Sequence, residues 1–143
     1  MKQPTAILFA FFLFLLVPVT IWASEISVAG PWIREAPPGT QMLAAYMTIS
    51  NHSTHPVQLE SAASPDFAMI EIHRTETHQG MSHMVKQSGM QIKSGGTVTL
   101  EPGGYHLMLM KPGRSLRAGD TVIMHLQFDT GESIDVNAVV RKQ

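Results

Sequence analysis

Gly104-Tyr105-His106-Leu107-Met108-Leu109-Met110 is the most informative run in this chain. Successive side chains of a β-strand point to opposite sides, and residues two apart share a side. As a strand, this run turns His106, Met108 and Met110 one way. Glu101-Pro102-Gly103-Gly104 before it and Lys111-Pro112-Gly113 after it are turn sequences that bound it. The same grammar recurs outward along the chain. Strands are predicted over residues 26–28, 32–35, 43–50, 57–63, 68–74, 81–86, 97–100, 105–110, 121–128 and 133–140. Ser64-Pro65-Asp66 starts a helical turn at most. Many short strands separated by Gly, Pro and Asn predict one all-β domain, an antiparallel β-sandwich.

His106 and Met108 on one side of a strand bring an imidazole and a thioether to one spot. Thioether sulfur is a soft donor that suits Cu(I), and imidazole binds copper as well, whereas Mg²⁺ and Ca²⁺ ask for oxygen. A second such pair lies upstream. Ile70-Glu71-Ile72-His73-Arg74 alternates as a strand, and Met81-Ser82-His83-Met84-Val85 resumes after Thr77-His78-Gln79-Gly80. A hairpin turn centred between His78 and Gln79 sets His73 opposite Met84. The candidate ligands are therefore His73, Met84, His106 and Met108. Met110 shares their side as a rim residue or spare thioether, and His83 faces away. His78, His52, His55 and His125 read as turn or surface residues. Met42, Met47, Met69, Met90 and Met124 read as core or edge filler. Trp32 and Tyr46 read as structural.

The order His73, ten residues, Met84, twenty-one residues, His106, one residue, Met108 resembles the spacing of the PCuAC family of periplasmic copper(I) chaperones. So do Gly30-Pro31-Trp32-Ile33-Arg34, Ala44-Ala45-Tyr46-Met47-Thr48-Ile49-Ser50-Asn51, Glu71-Ile72-His73 and Pro102-Gly103-Gly104-Tyr105-His106-Leu107-Met108-Leu109-Met110, in the family's order. The resemblance runs from about Ile26 to Val140. It implies a cupredoxin-like or Ig-like sandwich holding one Cu(I) in a His₂Met₂ site. It also implies delivery to a copper-acceptor protein, either cytochrome c oxidase at its Cu(A) centre or an assembly factor of that pathway. Many members follow the first His with Met, where this chain has Arg74. That removes one auxiliary thioether and leaves the four-ligand set.

The rest of the sequence bounds these readings. Lys2, the apolar run of 12 residues over 6–17, Pro18 and the small Ala23 predict a secretory signal peptide over 1–23, ahead of a copper-binding domain over 24–143. The bland alternative is a retained anchor, because a span takes about 20 residues. In either case the domain is exported, to the periplasm by the resemblance, and touches a membrane only through an uncleaved signal segment. Without Lys2 the ten basic residues become nine against eleven acidic ones, a balance that argues against nucleic acid as partner. There is no cysteine, so a blue-copper centre, which needs a thiolate, is excluded. No phosphate loop, Cys nucleophile or His-Glu-x-x-His helix suggests an enzyme. The rival reading is a secreted β-sandwich interaction module with a Met-rich binding face.

Overall fold

Alternation builds the sheet. The computed structural model describes residues 24–142, so the expected signal peptide over 1–23 lies outside the described residues. Ten strands follow one another: β1 (Ile26–Arg34), β2 (Met42–Asn51), β3 (Val57–Ala63), β4 (Phe67–His78), β5 (Met81–Lys86), β6 (Met90–Ile92), β7 (Thr97–Leu100), β8 (Tyr105–Pro112), β9 (Thr121–Phe128) and β10 (Ser133–Arg141). Among the described residues no helix is long and apolar enough to cross a membrane.

The all-β expectation is met, with a more connected sheet than an antiparallel sandwich requires. All ten strands join one mixed ladder in the order β5-β4-β8-β7-β2-β1-β10-β9-β3-β6. Pairing is antiparallel except at β1–β10 and at the single rung Leu100↔Tyr105 between β7 and β8. The sheet curls so that β3 approaches β4 and β6 approaches β2. One apolar core fills the interior, with Ile33, Ile49, Leu59, Leu107, Leu109, Met124 and Phe128 essentially sealed from water.

Three local features differ from the sequence reading. The strands expected over 26–28 and 32–35 are one, ending at Arg34, because β2 pairs along both halves of β1 and absorbs Gly30-Pro31 as a bulge between Ala29 and Trp32. β6 is added, held by Val57↔Ile92 and Leu59↔Met90; three residues are too few to announce a period. Glu101 to Gly104 does not turn the chain back. β7 and β8 both run antiparallel to β2, against residues 47–50 and then 42–45. They are two lengths of one line, and the loop bulges out between them.

Asn51 pins the adjoining loops. Buried at the end of β2, it donates to the carbonyls of His55, Ile92 and Lys93 at 2.7, 3.2 and 3.1 Å, and its Oδ1 accepts from Ser53 N at 2.9 Å. A buried amide hydrogen-bonded through both its nitrogen and its oxygen stabilises one arrangement of these loops over others.

Candidate metal centre

The curled sheet has a second face, turned away from the core. On β8, Leu107 and Leu109 enter the core, which leaves His106, Met108 and Met110 on the other side. Cross-strand partners share a side. β4 sets His73 directly opposite His106, Glu71 opposite Met108 and Met69 opposite Met110. On the far side of β8, β2 sets Ala44 opposite Met108 and Met42 opposite Met110.

The hairpin register is corrected by two residues. The turn is Gln79-Gly80, with φ of 51° and 79°, the two positive values that a two-residue type I′ loop needs. Met84 therefore pairs with Thr75, and Lys86 takes the place opposite His73. His78 ends β4, opposite Met81. A two-residue slip preserves the side, so Met84 still faces the same way as His73, one diagonal step away, and His83 faces the opposite way beside Glu76. All four candidate ligands lie on one face. Met84, His106 and Met108 line a cleft of about 260 Å³ together with Met42, Tyr46 and Arg34.

The two imidazoles are the buried floor of this face. Their ring centroids lie 5.8 Å apart, and His106 is 3% exposed. Each ring commits one nitrogen to the protein. His106 Nδ1 lies 3.2 Å from the Gly104 carbonyl, and His73 Nε2 lies 2.9 Å from a Glu71 carboxylate oxygen. Both partners only accept, so in the neutral rings these nitrogens carry the hydrogens. His106 Nε2 and His73 Nδ1 keep the lone pairs, and both are buried without a hydrogen-bond partner. Two orphaned acceptors in a buried pair of rings carry a desolvation cost, which a shared cation offsets.

The partners on the far nitrogens were not recognised as functional from the sequence. The Gly104 carbonyl is delivered by the bulge and also accepts from Thr75 N at 3.0 Å, tying β4 to it. Glu71 shares the face of His73, two residues before it, and that spacing was the available signal. Its carboxyl is held below the usual range by the hydrogen bond from His73 and then by Lys86, whose Nζ lies 2.6 Å away. Burial pulls the His106 imidazole below its ordinary value, against the opposing Gly104 carbonyl, and His73 lowers it further. The shift on His106 favours a neutral ring, and on both rings a hydrogen bond at the far nitrogen fixes the orientation, the arrangement that orients histidine ligands in metal sites.

Eight other positions are resolved by the geometry. Arg74 projects to the other face and stacks over Tyr105 at 5.3 Å, so a side chain at 74 cannot join the His73 shell. Trp32 and Tyr46 pack at 4.8 Å between centroids, with Arg34 over Tyr46 at 5.6 Å; Tyr46 and Arg34 line the cleft, and Trp32 supports Tyr46 from outside it. Met47, Met90 and Met124 are core residues, as expected. Met42 and Met69 are not filler: both are exposed on the face of the site.

Among the described residues, no three His, Cys, Asp or Glu side chains are placed to hold a metal together, so the donors available beyond two imidazoles are thioethers. Fold and face together define an all-β domain that presents a soft, uncharged donor set on the outside of its sheet. The chain belongs to the LpqE-like family, described as "Putative lipoprotein LpqE-like", which it matches over residues 26–140. It is 31% identical to "Putative lipoprotein Lxx21020" of Leifsonia xyli subsp. xyli over 120 residues, 83% of this chain and 71% of that protein. Among solved structures, the Cu(I) form of DR1885 from Deinococcus radiodurans is 36% identical, covering 80% of this chain and 76% of that one, with a TM-score of 0.65. The copper-bound PCuAC domain from PmoF2 is 22% identical and shares the fold, with a TM-score of 0.73 over 86% of this chain and 97% of that domain.

Proposed function

We propose that this protein is a copper carrier of the exported compartment that binds one Cu(I) through His73 Nδ1, His106 Nε2 and the sulfurs of Met84 and Met108, and hands it to a copper-acceptor protein. The observation that carries this reading is the pair of buried, partnerless ring nitrogens on a face with two thioethers. The likeness to a relative solved with Cu(I) supports the choice of ion. The acceptor is read as cytochrome c oxidase at Cu(A), or an assembly factor for it. Thiolates at such an acceptor hold Cu(I) more firmly than neutral thioethers and imidazoles do, so transfer runs downhill. Nothing in this scheme makes or breaks a covalent bond of a substrate, and the protein acts as a carrier, not as an enzyme.

An anaerobic competition titration followed by X-ray absorption tests the reading. One tightly held Cu(I) with both sulfur and nitrogen scatterers is expected; a shell of oxygen and nitrogen alone overturns it. Absence of any stoichiometric copper would favour the interaction-module alternative.

Met84 differs from the other three donors. It is 62% exposed and sits on β5, the terminal strand of the sheet. Met84→Leu is expected to leave folding unchanged and to speed Cu(I) release to a chelator about tenfold or more, because ligand loss acts mainly on the off-rate. An unchanged release rate removes Met84 from the shell.

A further inference from the structure

Beyond the four-ligand reading, and independently of it, we infer that Met42, Met110 and Met69 form a second soft-metal site, an all-thioether row that takes Cu(I) or Ag(I) more weakly than the imidazole centre. The three residues stand in direct register on adjacent strands: Met42 opposite Met110 across β2–β8, and Met69 opposite Met110 across β4–β8. Strand spacing puts each flanking residue about 5 Å from Met110. Methionine's three rotatable bonds let the outer thioethers lean inward to a common ion.

Exposure is the second observation. Met42 is 57% and Met69 50% exposed, so neither side chain is explained by packing. Two long apolar side chains held out in solvent on either side of the half-buried Met110 gain little from packing, and a bound soft cation gives them a role that packing does not. Position is the third. Met110 lies two residues beyond Met108 on the same side, about 7 Å along the strand, and Met42 lines the same cleft as Met84, His106 and Met108. An ion held on the row has a thioether path to the imidazoles with Met108 as the step between. The row carries no charged or titratable donor, which limits it to soft ions and to weak, quickly reversed binding.

The test follows ¹³C-labelled methionine methyl signals as Ag(I), a redox-inert soft ion, is added to the purified protein. The first equivalent is expected to move Met84 and Met108. The second should move Met42, Met69 and Met110, with buried Met47, Met90 and Met124 unmoved. The triple variant Met42→Leu, Met69→Leu, Met110→Leu conserves side-chain volume and should drop the uptake from two equivalents to one. Unmoved row signals at the second equivalent, or two equivalents still taken up by the triple variant, overturn the inference. Row signals that move while Met84 and Met108 stay still would uphold the row and overturn the four-ligand site instead.

Discussion

Met108→Ala is expected to weaken Cu(I) binding about 100-fold or more, since loss of an outer partner of a metal ligand alone costs about 10–100-fold and this change removes a donor. Its stability should barely move, because Met108 stands on the outer face opposite Ala44 and Glu71. Met124→Ala is the mirror experiment. Met124 is wholly buried at 0% exposure, and truncating such a residue typically costs about 2–5 kcal/mol. Its copper affinity should stay near wild type while the protein remains folded. Competition titrations and denaturant melts on both variants read the two axes. Equal copper affinities in the two variants refute the assignment of Met108 as a ligand.

Acidification should separate the two kinds of donor. Thioethers do not titrate in the accessible range, whereas an imidazole must be neutral to bind a metal. Burial, the largest influence on His106, holds its ring below the ordinary value of 6.5. The unfolded chain therefore takes up that proton at a higher pH than the folded one. The stability tied to His106 is present above about pH 6.5 and is lost as pH falls through the window beneath it. Copper binding follows the same direction. Affinity should be nearly flat from pH 8 to 7 and then fall on acidification, approaching about tenfold per pH unit for each imidazole released. Replacing His73 and His106 together by Met should flatten that dependence while retaining some Cu(I). The measurement is the apparent Cu(I) constant from pH 5 to 8 for both proteins, corrected for protonation of the competitor. Parallel curves mean that these two histidines are not ligands.

Much of this site was legible because side-chain parity is a local property. His106, Met108 and Met110 share a side whatever the rest of the chain does, and the two-residue error in the hairpin left Met84 on the correct side. That error came from the turn: Gln79 occupies a left-handed conformation that a sequence assigns more readily to Gly or Asn, so the loop was centred one residue early. The His73–His106 rung was out of reach, since β4–β8 pairing joins residues 33 positions apart and no local pattern states it. The mixed ladder was hidden for the same reason. Met42 and Met69 were misjudged because exposed and buried methionines read alike until the register shows which side each one takes.

On β8 the leucines at 107 and 109 and the methionines at 108 and 110 alternate between core and outer face. If the proposed sites hold, folding and metal handling are written on interleaved positions of one strand, and selection can act on them separately. Variation at 107 or 109 surfaces as lower abundance of the protein in the cell. On the same reading, variation at 108 or 110, on the outer face, bears chiefly on what the surviving molecules carry. A screen for solubility or expression would pass over every such lesion, and a lineage that no longer needed the cargo could shed the methionines while keeping the sheet.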